Sequence, residues 1–214
     1  MSRVSIAILI GVLAVAACGG SSPAPQGPTA AGVAVQSSDL PTALVKCDLT
    51  GDIDTFIKKE QAPDPNASKT MANDWADAKK NGATAAYTAF YTDSTAHCDS
   101  IKGSGADLGA ATYKLVVNFV IQFKDEKSAA AGYKSDKAIF GFSASELRSG
   151  SGGVLEGSAT GLSPNSITLT QPIGNQFFYI AVWQSKSFMV ILAVLNVDAT
   201  AAKKVATSEN SRTK

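Results

Sequence analysis

Residues 188–195 read FMVILAVL, eight apolar side chains in succession. That run is far short of the about 20 apolar residues that cross a bilayer. Gln184, Ser185, Lys186 and Ser187 separate it from the apolar stretch 177–183, so the two segments together do not make a span either. An eight-residue run with no polar alternation fits a strand covered on both faces, by helices or by a second layer. The chain must therefore supply two coverings. Residues 177–184 and 188–195 read as a hairpin around Ser185-Lys186, preceded by an alternating strand at 166–170 and a turn at Pro172, Ile173, Gly174 and Asn175. In 113–124, YKLVVNFVIQFK, the side chains of Tyr113, Leu115, Val117, Phe119, Ile121 and Phe123 project from one face. Period two is the strand signature. An antiparallel sheet of four to five strands is expected.

Helices are expected to cover it. Pro41 opens a short turn toward Cys47, and Asp52 is placed to cap a helix over 53–59, with acid first and lysines last as the macrodipole prefers. Asp64-Pro65 is a cap residue followed by proline at the first helical position, and Ala67, Met71, Trp75 and Ala78 then share a face up to Asn81-Gly82. A second helix is expected from Ala83 toward Cys98, with Ala86, Tyr87, Phe90 and Tyr91 on a common side. The glycines of 103–109 read as a loop. Asp125 caps a helix from 126 to about 137, with Ala129, Ala130 and Tyr133 free to pack. Asp198 caps a terminal one carrying Ala201, Ala202, Val205 and Ala206. The sum is α+β, one domain, with a helical N-terminal half and helices packed on the sheet.

The N-terminus carries an address. Arg3 is followed by an apolar stretch, 4–15, that suits the core of an export signal. Val15-Ala16-Ala17-Cys18 resembles the bacterial lipobox. That resemblance implies cleavage after Ala17 and a diacylglyceryl group on the Cys18 thiol, so that the protein is anchored by lipid to the cell membrane and faces away from the cytoplasm. Two or three acyl chains suffice for stable anchoring where one is marginal. Residues 19–38, GGSSPAPQGPTAAGVAVQSS, have no charge, three prolines and four glycines, and read as a tether with a mean reach of about 25 Å. The expected organisation is signal peptide 1–17, lipid anchor and tether 18–38, α+β domain 39–208 and a frayed tail 209–214.

Charge and inventory exclude much. Loss of Arg3 leaves as many basic as acidic residues, which argues against nucleic acid and against electrostatic attachment to a bilayer. With Cys18 acylated, Cys47 and Cys98 remain, an even pair in an exported chain and so a disulfide, worth roughly 4 kcal/mol in the chain-entropy picture. His97 is the single histidine, so neither a metal cluster nor an HExxH site can be assembled, and it has no nucleophile elbow to serve. Asp48, Asp52 and Asp54 lack the spacing of a calcium loop. The glycine loops at 103–109 and 149–153 lack phosphate-binding endings. No cofactor, metal or catalytic residue is expected.

The order of strand, alanine-rich helix, Gly161-Leu162 turn, aromatic hairpin and short terminal helix resembles small exported actinobacterial lipoproteins, some with a PsbP/Mog1-like body and others with a sensor-type body. The resemblance concerns fold. Function is expected to be non-enzymatic binding of a small apolar or amphipathic ligand. Phe177, Tyr179, Ala181 and Trp183 on one face of the hairpin, with the Tyr113-to-Phe123 face, are the expected lining. The alternative is an envelope-tethered protein-interaction or sensor domain without a small ligand. Cys18→Ala is expected to move the protein from the membrane to the soluble fraction on fractionation. A Cys18→Ala protein that stays wholly membrane-bound contradicts the lipid anchor.

Overall fold

The computed structural model describes residues 27–41, 43–103, 111–150, 152–173 and 176–214. The signal peptide, Cys18 and the first part of the expected tether lie outside the described residues, as do most of the 103–109 loop and the turn at Gly174 and Asn175.

The run that reads as doubly covered is β8 (Phe188–Leu195), and it lies inside one antiparallel sheet. It pairs along its length with β4 (Leu115–Phe123) on one side and β7 (Gln176–Ser185) on the other. The full order is β1-β3-β4-β8-β7-β6-β5, formed by β1 (Val45–Lys46), β3 (Ala83–Thr92), β5 (Gly153–Glu156) and β6 (Asn165–Ile173) with the three central strands. β2 (Gly51–Asp52) follows β1 along the same edge of β3. Between those two short pieces the Thr50 hydroxyl takes over the pairing: it donates to Phe90 O and accepts from Phe90 N.

One face of the sheet carries Phe119, Ile121, Ile167, Val182 and Ile191. It is covered by α2 (Ile53–Glu60), α3 (Pro65–Lys80), α5 (Glu126–Lys134) and α6 (Ala144–Arg148), through Phe56, Trp75, Ala129 and Leu147 among others. The opposite face carries Val116, Val120, Ala181, Trp183, Val190 and Leu192. Ala202, Val205 and Ala206 of α7 (Ala199–Ser211) cover it, together with α1 (Ala30–Val33) and the residues that follow. α4 (Thr95–Ser100) begins at the Ser94 cap and carries Cys98. Cys47 and Cys98 form the expected disulfide, with Cα atoms 5.3 Å apart, tying the outer edge of β3 to α4.

Four expectations are corrected. The sheet has eight strands, not four to five, and the N-terminal half is not wholly helical, because residues 83–92 form β3 where a helix was expected. The spacings Ala86 to Phe90 and Tyr87 to Tyr91 are four residues, which puts each pair on one side in either period. Thr84, Thr88 and Thr92 with the aromatics favour the pleat. Ala86 and Phe90 face one layer, Tyr87 and Tyr91 the other, and β3 pairs with β4 from Ala83↔Phe123 to Thr92↔Leu115.

The tether does not extend to residue 38. Thr29 caps α1, accepting from Gly32 N at 3.1 Å, and Val33, Ala34 and Val35 are buried. Asn118 on β4 holds this segment: its Oδ1 accepts from Val35 N at 3.0 Å, while Tyr91 Oη donates to Val35 O at 3.0 Å. Nor is the tail frayed. α7 continues to Ser211, Glu209 and Thr213 are buried, and Arg212 donates to Val33 O, Ala34 O and both oxygens of Asp39. The segment 33–39 and the C-terminal residues clasp each other because each supplies what the other lacks, bare carbonyls and a carboxylate on one side and a guanidinium fork on the other.

At the centre of that clasp Glu209 is fully buried, and its Oε1 accepts from Asn118 Nδ2 at 2.8 Å. Burial pushes its carboxyl well above the ordinary value, against the pull of Asn118 and Arg212. The folded state thus holds this proton more tightly than the unfolded chain does. Its contribution is intact below the ordinary value of 4.5 and is lost as pH rises through the folded value. Glu209→Gln keeps an acceptor for Asn118 and removes the charge. Its thermal midpoint is expected to gain on wild type as pH rises from 4 to 8, by about 2–4 °C for each kcal/mol. Parallel pH profiles for the two proteins contradict a buried carboxyl strained by ionisation.

Candidate functional site

α2 begins after Asp52 and buries Ile53, Phe56 and Glu60, a stripe at positions i, i+3 and i+7. The stripe puts an acid on the core-facing side at the end of the helix, where the macrodipole also disfavours a negative charge. The chain then turns into α3: Asp64 N donates to Glu60 O at 2.9 Å, and the Asp64 carboxylate accepts from Asn66 N and Ala67 N. Ser68 Oγ donates to Ile57 O at 2.8 Å and locks the two helices together.

Between this helical pair and the sheet is a pocket of about 290 Å³. Its floor is Leu115, Val117 and Phe119 of β4 with Phe90, Phe178 and Ala193 from the neighbouring strands, and Ala67 and Met71 of α3 form a wall. Phe56 stacks on Phe90 at 5.3 Å, and both meet Phe119 edge-on at 5.9 Å. Phe140 stacks on Phe119 at 5.0 Å from the other side. Phe140 stands on a tight turn, bridged Ile139 to Phe142, in which it and Gly141 both have positive φ (53° and 81°). A non-glycine residue there is costly and persists only where its surroundings hold it. The Asp74 carboxylate does so, accepting from Phe140 N at 3.0 Å.

Among the described residues Glu60 is the one ionisable side chain in this lining. It is 5% exposed. Its Oε2 accepts from Gly103 N at 3.0 Å, and its buried Oε1 has no hydrogen-bond partner. Burial pushes the carboxyl up, the Gly103 amide opposes this, and the nearby Asp64 pushes it up further. Gly103 is needed as glycine: its φ is +82°, and a Cβ there would stand 3.3 Å from Pro63 O. A larger groove, about 480 Å³, lies between the end of α3 and the start of α5, but its carboxylates are engaged. Asp77 pairs with Lys80, Asp125 caps α5 and Asp74 holds Phe140. The smaller pocket has the uncompensated polar atom.

The expected lining is split between the two faces. Leu115, Val117 and Phe119 do line the pocket. Tyr179, Ala181 and Trp183 are buried on the opposite face beneath α7 and α1, with Phe177 half-buried beside them, and none of the four reaches it. Burial there pushes the Tyr179 phenol up to about 12. Glu60 was missed because an acid following Lys58 and Lys59 looks solvated, though its spacing from Ile53 and Phe56 was the available signal. The His97 ring stacks on Tyr113 at 4.4 Å and pairs through Nδ1 with Asp93. Among the described residues no group of three or more His, Cys, Asp or Glu could hold a metal, and no helix is long and apolar enough to cross a membrane.

No protein-family model matches the chain, and no curated protein matches it. Among solved structures, the extracellular domain of PknH from Mycobacterium tuberculosis is similar at 14% identity with a TM-score of 0.38. The match covers 61% of this chain and 66% of that one, just under two thirds of its length. Overlap at that level carries no argument about function.

Gly103→Ala is expected to cost about 1–2 kcal/mol, since it forces a side chain into a left-handed backbone and displaces the amide that serves Glu60. In a carboxyl-carbon NMR titration the Glu60 value, already above 4.5, should rise further in this variant. An unchanged titration contradicts the role given to the Gly103 amide.

Proposed function

We propose that this protein is an exported recognition domain, presented from the membrane by a lipid on Cys18, that binds a small apolar or amphipathic ligand and performs no covalent chemistry. The observation that carries the reading is the pocket under α2 and α3, walled by aromatic and aliphatic side chains, with the buried Glu60 in its lining. Ligand sites typically combine apolar walls with a few placed polar groups, and this pocket sits at the lower end of their usual size. The disulfide supports an oxidising compartment outside the cytoplasm. The tether, shortened to the residues before Thr29, still supports a body held near the bilayer.

A protein-docking or sensor domain without a small ligand has its own support. β5 is an edge strand, and its Leu155, 47% exposed, is the large apolar side chain left in solvent among the described residues. Unpaired edges accept an added strand.

Native mass spectrometry of the protein purified from its own host separates the readings. A co-purifying small molecule, lost in Ala67→Phe with the circular dichroism unchanged, is expected for the pocket reading. Ligand-free wild-type protein that instead carries a bound polypeptide contradicts it and supports docking.

A further inference from the structure

Resting on the lipid anchor at Cys18 and not on the pocket, we infer that the α7 face of the body lies on an anionic bilayer surface, with Lys186, Lys203 and Lys204 among the lipid headgroups and Leu155 dipping between them. The place where the chain enters decides which face comes near the membrane. Thr29 caps α1, and Ala30 and Val33 are buried against the sheet on the α7 side. Residues 18–28, between the expected anchor and that cap, have a mean reach of roughly 18 Å. That is close to the radius of gyration of a body this size, about 16 Å, so the side on which the chain enters is the side delivered to the bilayer.

Charge on that side is one-signed. Ala202, Val205 and Ala206 of α7 turn inward, which leaves Lys203, Lys204 and Ser211 exposed on its outer surface. Lys186 stands exposed at the turn between β7 and β8, and Thr213 Oγ1, donating to Ser185 Oγ at 2.7 Å, brings the end of α7 against that turn. None of the three lysines forms an ion pair among the described residues. The acids of α7 and its partner segment are engaged: Asp198 accepts from Ala201 N, Asp39 holds Arg212, and Glu209 is buried on Asn118. The register adds Lys46 and Asp52, opposite Tyr91 and Tyr87, and their charges offset each other. Balance over the whole chain thus conceals three unpaired cations on one face. Anionic headgroups answer them, each lysine at such a surface giving about a fivefold gain in occupancy. The attraction acts within a Debye length of about 8 Å, which the short tether lets the body enter.

Leu155 lies on the same face. It is opposite Thr168, which is opposite Ala181. Ala181 is buried beneath α7, and Leu155 is 47% exposed. The Lys203 stem lies between α7 and this end of the sheet, with its Cε 3.4 Å from where a Cβ of Gly161 would stand. An apolar tip beside lysines is the combination that interfacial segments present to a bilayer. A strand added at the β5 edge would engage backbone groups, whereas Leu155 projects off the sheet.

The test uses the lipidated full chain, purified from its host membrane and reconstituted into vesicles of phosphatidylcholine alone or of phosphatidylcholine and phosphatidylglycerol at about two to one. Amine acetylation at low salt, read by mass spectrometry, reports each lysine. Lys186, Lys203 and Lys204 are expected to react about fivefold or more slowly on the anionic vesicles than on the neutral ones, and the difference should vanish in about 0.5 M salt. Lys58, Lys69 and Lys127, exposed on the helices of the other face, should react alike on both. The double substitution Lys203→Glu and Lys204→Glu should abolish the protection of Lys186 with the circular dichroism unchanged. Equal rates on the two vesicles overturn the inference while leaving the anchor and the pocket standing. Slow labelling of the three lysines on both vesicles marks a second copy of the chain on that face and overturns it too. A chain that neither vesicle retains overturns both the inference and the lipid anchor.

Discussion

β8 cannot touch water on either face, and the rest of the architecture answers that demand. Its side chains at Val190, Ile191 and Leu192 are fully buried, flanked by β4 and β7 in the sheet and by helices above and below. Each such residue is worth about 1.5–3 kcal/mol of burial, so this strand outweighs any surface ion pair. The two coverings differ. One is a thick layer from α2, α3, α5 and α6; the other is α7 completed by the chain's own N-terminal segment. Residues that look like spacer are recruited because α7 is flanked by sheet that would otherwise be bare. Val33, Ala34 and Val35 fill that position.

Two buried glutamates mark the two layers, and their surroundings differ. Each has one oxygen bonded to nitrogen and one without a partner. Glu209 sits within the clasp formed by Asn118, Arg212 and Asp39, where its neighbours belong to the junction of the chain ends. Glu60 sits beside space. The thick layer leaves room where the α2–α3 turn spans the ends of β3, β4 and β8, and the Phe140 turn shores up the far wall.

Periodicity was legible where one period excluded the other. β4 carries an apolar side chain at every second residue from Leu115 to Phe123, β8 is apolar throughout, and α3 announces itself with Asp64-Pro65 and a stripe ending at Ala78. The disulfide followed from a count of three cysteines, one of them expected to carry lipid. β3 was lost because its alanines and four-residue spacings satisfy a helix equally well, and only pairing with β4 decides. The segment at 29–39 and the tail were lost because each is stabilised by the other across a sequence separation of more than 170 residues. The candidate lining failed on register. Ile191 lies opposite both Phe119 and Val182, so the odd positions of β4 share a face with the even positions of β7, away from Tyr179 and Trp183. No single strand carries that information.

The account stands on the pocket beside Glu60 being a place where a ligand resides. Intermolecular NOE measurements on protein saturated with 1-octanol address this directly, with the Met71 methyl and the Phe119 and Phe140 rings as reporters on three sides. The account predicts contacts from the octyl chain to all three and a shift of the Glu60 carboxyl carbon. Contacts confined to the exposed surface around Leu155, with Met71 and Glu60 undisturbed, would contradict it.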